Sequence, residues 1–237
     1  VMHELVPEKF VWFVWASAFL VPWMVAFGAF PAHRRVILWA SLFTTPFGLT
    51  EPLFVPEYWN PPSLFDLAQR TGFDIESLIF CFGIGGVGAV SYNILTGKSH
   101  GRMSSMARRL ASHRFHFWAV ATPFLVFPVL YLMEWNPIYP AIVAMALGAV
   151  STMLCRRDLI SKTWVGGVLF LVYYLVFLAG LEWLSPGYIG KVWNLESLSG
   201  ILIYGMPIEE LLFAVMFGAY WSGVYEHFTW RRMTDIH

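Results

Sequence analysis

The sequence predicts an all-α integral membrane protein, with seven transmembrane helices arranged as two parallel three-helix repeats joined by a linking helix. Three observations predict it. The 237 residues are 58% hydrophobic and only 13% charged, and the mean hydropathy is +0.61, too apolar for a soluble domain of this size. Apolar runs long enough to cross a bilayer recur along the chain. Two stretches are near-copies. Trp59-Asn60 and Glu76-Ser77-Leu78-Ile79-Phe80 in one answer to Trp193-Asn194 and Glu209-Glu210-Leu211-Leu212-Phe213 in the other, 134 residues apart at the Trp and 133 at the Glu. The match runs on through Gly85 with Gly218 and Tyr92 with Tyr225.

Taken in order, the first span covers roughly residues 10–30. It is followed by Arg34-Arg35 rather than a small-residue cleavage site, so no secretory signal is expected there. The second, 36–54, closes on Glu51-Pro52. The third, 74–95, opens on Asp74, a residue suited to capping a helix, with Glu76 in its first turn. The fourth, 115–133, returns the chain to the outer side, so both triplets share one orientation. The fifth, 138–154, is the shortest. The sixth, 163–183, carries Glu182 at its end. The seventh, 207–227, has Pro207 in its first turn, where a missing N–H costs nothing. The units are therefore 1–97, 98–136 and 137–237. Helices fill the membrane because open sheets cannot satisfy their backbone there.

Charge sets the expected orientation. Arg34, Arg35, Lys98, Arg102, Arg108, Arg109, Arg114, Arg156, Arg157, Lys162, Arg231 and Arg232 share one face, which is 12 of the 15 basic residues. Only Lys9, Arg70 and Lys191 fall on the other. The positive-inside rule then gives a multi-pass protein of the cytoplasmic (inner) membrane with its N-terminus outside and its C-terminus in the cytoplasm. Of the 15 acids, all but Asp158, Glu226 and Asp235 fall outside. The basic loop 98–114 reads as a topology determinant facing anionic headgroups, not as a nucleic-acid site.

Carboxylates at the start of a span are functional candidates by default. Glu57, Asp66, Glu134 and Glu196 read as headgroup-facing acids. Glu76 and Glu209 recur in both copies and lead straight into apolar runs, with Glu210 beside Glu209 and Asp74 two residues before Glu76. Glu51 and Glu182 form a looser, supporting pair. At helix N-termini the dipole favours the carboxylate, whereas apolar surroundings disfavour it.

These elements resemble the Pro-x-Glu-Glu motif of the membrane-integral lycopene cyclases, which occur as two small subunits in some bacteria and as fused domains in fungi and archaea. Pro207-Ile208-Glu209-Glu210 matches it in full; in the first copy Asp74 stands for the Pro and Ser77 for the second Glu. The resemblance implies a redox-neutral cyclisation of acyclic carotenoid ends. A protonated carboxyl gives its proton to the terminal double bond, a neighbouring double bond captures the cation, and a carboxylate takes a proton back. Glu209, Glu210, Glu76 and Asp74 are the catalytic candidates, with Glu209 as the principal acid. Trp59, Asn60, Phe80, Trp193, Asn194, Phe213, Phe217 and Trp221 are candidates for holding the substrate, aromatic faces being able to stabilise a cation. Adjacent helix positions point about 100° apart, so Glu209 and Glu210 need not face one cavity.

Other signals carry less. Gly83 to Gly88 fits Gly-x-Gly-x-x-Gly but lies inside an apolar span, where close helix packing is the better account. No flavin-binding domain is evident, and no cofactor or metal is expected. Lys9, Lys98, Lys162 and Lys191 lie at span ends or in loops, so none is placed for a Schiff base. Cys81 and Cys155 suggest no disulfide framework. The expected partners are a lipophilic carotenoid or prenyl substrate and membrane lipid; an oligomer is open. Two classes of function stand. One is an enzyme, cyclising lycopene or a smaller prenylated molecule or hydrating a carotenoid. The other is a non-catalytic transporter or lipid-binding protein using the paired acids.

The charge asymmetry makes a prediction. A reporter fused after His237 is expected to be active only as a cytoplasmic reporter; activity of a periplasmic reporter there would mean an odd number of spans has been miscounted.

Overall fold

The computed structural model describes residues 6–235; Glu4, counted above with the outer acids, and His237, the fusion point, lie outside them. The chain is mostly helical. Helices α1 (Glu8–Ala18) and α2 (Leu20–Ala29) run on as one rod. Then come α3 (Arg34–Thr44), α4 (Ile75–Thr96), α5 (His116–Tyr131), α6 (Ile138–Cys155), α7 (Ile160–Leu184), α8 (Ile208–Ser222) and α9 (Val224–Thr229). Four segments are long and apolar enough to cross a membrane: Glu8–Ala29, Ile75–Thr96, Ile138–Cys155 and Arg157–Leu184.

The other three expected spans are helical but interrupted or shorter, for local reasons. α3 tightens at Thr45-Pro46 into a nine-residue 3-10 stretch, Thr45–Leu53, that also contains Pro52. α5 is 16 residues long and holds Pro123 and Pro128. α8 gives way to α9 at Gly223. Pro207 is not in the first helical turn as expected. It precedes α8 with φ −59° and ψ 136° and belongs to the short strand β3 (Met206–Pro207), which pairs with β2 (Leu202–Ile203). Asp74 caps α4 as expected, accepting the Ser77 N–H at 2.5 Å.

Helices α3 and α4 pack together, as do α7 and α8. Both crossings need a glycine. A Cβ on Gly85 would fall on the Thr44 side chain and 3.0 Å from the Ala40 carbonyl oxygen; one on Gly218 would fall on Phe170 and 2.7 Å from the Gly166 oxygen. Gly85 and Gly218 are repeat equivalents, and each meets its neighbour helix at positions four residues apart.

The two halves also join at both ends of the bundle. At the end where the loops 54–74 and 185–206 lie, Trp59 and Trp193 form an antiparallel bridge. The Asn60 N–H donates to the Val192 carbonyl at 2.8 Å and the Asn194 N–H to the Tyr58 carbonyl at 2.9 Å. At the opposite end β1 (Lys98–Arg102) pairs antiparallel with β4 (Arg231–Asp235), with His100 opposite Met233. Both central pairs are repeat equivalents, 59 with 193 and 100 with 233.

At this second end several of the charges are drawn inside the structure. Lys162 and Glu226 are buried and bonded at 2.5 Å, and Lys162 also donates to the Ala89 carbonyl. His100 meets the same Glu226 oxygen at 2.9 Å. Arg156 is buried too, held by Asp158 and the Arg231 carbonyl. The β1–β4 ribbon covers this cluster, which no local sequence signal foretells. By contrast Glu57, Asp66, Glu134 and Glu196 are exposed, as expected.

Gly85→Val and Gly218→Val are each expected to lower stability by about 1–3 kcal/mol through overpacking. Gly28, with nothing around its Cβ position, serves as the control, Gly28→Ala. Melting curves of the detergent-solubilised proteins check this; unchanged curves for both valine variants would refute the close crossings.

Candidate active site

A cavity of about 690 Å³ opens between the two halves, lined chiefly by aromatic and aliphatic side chains. Two carboxylates reach it, Glu51 from the 3-10 stretch and Glu210 from the first turn of α8. Each is met by the repeat tryptophan of its own half: Trp59 Nε1 donates to Glu51 at 2.5 Å and Trp193 Nε1 to Glu210 at 2.7 Å. The bridge that pairs the two tryptophan backbones sets their rings 5.3 Å apart. The carboxylates are thus brought to the cavity from opposite halves by one symmetric device.

Glu210 receives more. Tyr58 donates its phenol to Oε1, and Tyr174, from the middle of α7, donates to Oε2 at 2.7 Å. Burial, with Glu210 alongside, pushes the Tyr58 phenol well above its ordinary value, so it remains a donor. A buried carboxyl group without such donors would be costly; three of them hold it in one orientation.

The remaining predicted acids lie elsewhere. Glu209 is buried but does not line the cavity: its Oε1 accepts from Tyr139 at 2.8 Å and from the Ser199 N–H at 2.9 Å. Glu76, its repeat equivalent, accepts the Leu64 N–H at 2.7 Å. Each therefore ties the loop before its helix back onto the helix start. Of the adjacent pair, about 100° apart around the helix, Glu210 and not Glu209 reaches the cavity lining. Glu76 and Glu209 thus each serve the loop of their own half. Asp74 is taken up by its cap and by Trp12 Nε1 at 3.3 Å. Glu182 holds the Gly187 and Ile189 N–H groups.

Of the residues predicted to hold substrate, Trp59, Phe80, Trp193, Phe213, Phe217 and Trp221 line the cavity. Asn60 and Asn194 do not; their backbones make the pairing at the bridge, and Asn194 Nδ2 donates to the Glu57 carbonyl at 3.1 Å. Tyr58, Tyr174, Trp12 and Phe47 were not foreseen. Tyr174 had one usable signal, a hydroxyl in mid-span that needs a partner. At the other end of the bundle, His116 Nε2 donates to the His227 carbonyl at 2.9 Å, and its Nδ1 faces Cys155 Sγ at 3.2 Å.

Glu209→Ala is expected to free the 195–206 loop, at about 1.5–3 kcal/mol for hydrogen bonds to a charged group. Limited proteolysis of the purified protein should then cut within that loop; a wild-type cleavage pattern would show that the tie is not needed.

Residues 136–228, which hold α6 to α9 and Glu210, match the family model described as lycopene cyclase. No curated protein and no solved structure matches the chain.

Proposed function

We propose, from the match of residues 136–228 to the lycopene cyclase family model, that this chain cyclises the acyclic ends of lycopene or a related carotenoid inside the membrane. The observation that carries the proposal is the meeting of Glu51 and Glu210, from opposite halves, in one apolar aromatic cavity. That cavity accepts a hydrocarbon and offers it an acid and a base.

Glu51, carrying an indole hydrogen bond from Trp59, is the donor. Its proton adds to the terminal double bond and leaves a tertiary cation. The π electrons of the next suitably placed double bond form the ring bond and pass the positive charge on. The Glu210 carboxylate, held by Tyr58, Tyr174 and Trp193, removes a proton from the carbon beside that charge and restores a double bond. One proton enters and one leaves, so the product is an isomer and no electrons are exchanged; a proton returned from Glu210 to Glu51 completes the turnover. Phe80, Phe213 and Phe217 present π faces along the lining, and the fixed carboxylate opposes the moving charge as preorganised electrostatics.

The repeat supports the same reading. Repeat-equivalent segments that cross each other antiparallel at both ends, 59 with 193 and 100 with 233, are what a twofold axis along the membrane normal produces. We take the seven helical segments as seven spans about that axis, with the arginine-rich β1–β4 end in the cytoplasm.

In a lycopene-accumulating bacterium the chain is expected to convert lycopene to a cyclic pigment, read by chromatography of the extract. Glu210→Gln and Glu51→Gln should each lower turnover about 10²–10⁴-fold, as loss of an acid–base group does. Glu57→Gln, in the exposed outer loop, should be silent. Unchanged lycopene with folded protein in the membrane would redirect the assignment to smaller prenylated substrates. Full activity in Glu210→Gln would remove it from the chemistry.

A further inference from the structure

We propose that the seam between the 3-10 stretch Thr45–Leu53 and helix α5 is a lateral portal, through which a linear polyene passes from the bilayer into the cavity end first. This rests on the cyclase reading for the identity of the polyene, but its structural grounds are separate.

The first ground is where the cavity wall is exposed. The lining around the carboxylates, including Trp59, Tyr174, Trp193 and Glu210, is buried. On α5 and just past its end the lining residues are exposed on their other side: Phe124 by 41%, Tyr131 by 37% and Leu132 by 86%. The wall is one side chain thick there, and with α5 taken as one of the seven proposed spans it faces the lipid.

The second ground is what closes the seam. Phe47 stacks on Phe124 at 5.7 Å between ring centroids, and Phe54 stacks on Phe127 at 6.2 Å. Among the described residues no hydrogen bond or ion pair joins Thr45–Leu53 to α5, so apolar contacts, these ring pairs among them, hold this line. Such contacts are individually small and non-directional, and a flat conjugated chain can replace each ring's partner with its own π face at little loss.

The third ground is the backbone on either side. Pro123 and Pro128 remove two amide donors from α5, which weakens its ladder at the level of the seam. Opposite, a 3-10 stretch of nine residues is longer than that geometry ordinarily sustains. Both walls can bow while the rest of the bundle keeps its contacts. Glu51 stands in the 3-10 stretch itself, so a chain that parts the two ring pairs comes directly to the acid.

The test locks the seam. Phe47→Cys with Phe124→Cys, in the full chain reconstituted in vesicles, is joined by a short thiol-reactive cross-linker with a cleavable disulfide. Lycopene-loaded vesicles are mixed in, and uptake is followed by quenching of tryptophan fluorescence. Cross-linked protein is expected to lose uptake and to regain it on reduction, while Ser99→Cys with Thr234→Cys, cross-linked across the β1–β4 ribbon, keeps it. Undiminished uptake by the locked protein would overturn the portal. If the double variant does not fold, Phe124→Ala is measured instead: faster uptake to the same end point is expected, and an unchanged rate overturns the proposal. The cyclase reading fails separately, in wild-type protein that takes up lycopene through the seam and returns it uncyclised.

Discussion

A carboxylate withdrawn from water must find donors, and Glu210 finds three, from three separate parts of the chain. Tyr58 comes from the loop before α4, Tyr174 from the middle of α7 and Trp193 from the loop before α8. Folding cannot bury this group until all three segments have arrived, because a half-satisfied buried polar network is worse than none. The arrangement of the loops over the cavity follows. Tyr58 and Trp193 are held in register by the Trp59–Trp193 bridge and the backbone hydrogen bonds flanking it.

The two halves share a scaffold and differ in the site. The outer ties are kept in both: Glu76 holds Leu64 and Glu209 holds Ser199. One position on, Glu210 faces the cavity in the second half and Ser77 does so in the first. The first half supplies its acid from another place, Glu51, which takes the indole that its own helix no longer engages. The two halves thus bring two carboxyl groups with different hydrogen-bond donors to a common space.

Which of this the sequence discloses depends on the range of the interactions. The helices and the Asp74 cap follow from local pattern, and the two tryptophans follow from the repeat. The repeat also drew attention to Glu209, and for a physical reason: a position repeated in both halves was doing the same structural work in both. The inward acid is the one at which the halves differ, and nothing in adjacent positions tells which way a helix is turned. Tyr58 was hidden among many aromatics, and its donor role depends on a partner 152 residues away. The buried Lys162–Glu226 pair carries no local signal because its cover is a ribbon whose two strands are more than a hundred residues apart in the sequence.

That ribbon and the tryptophan bridge have a mechanical meaning. The bundle is pinned at both ends by backbone hydrogen bonds between its halves, as a beam is clamped at both supports. Helices α4 and α9, which run directly into β1 and β4, cannot slide like pistons or turn about their axes without breaking that ribbon. Such a beam yields by bowing at mid-length, outward, on the side where its walls are held by apolar contacts. Compliance in this molecule is sideways, into the plane of the lipid, while the ends that carry the charges stay still.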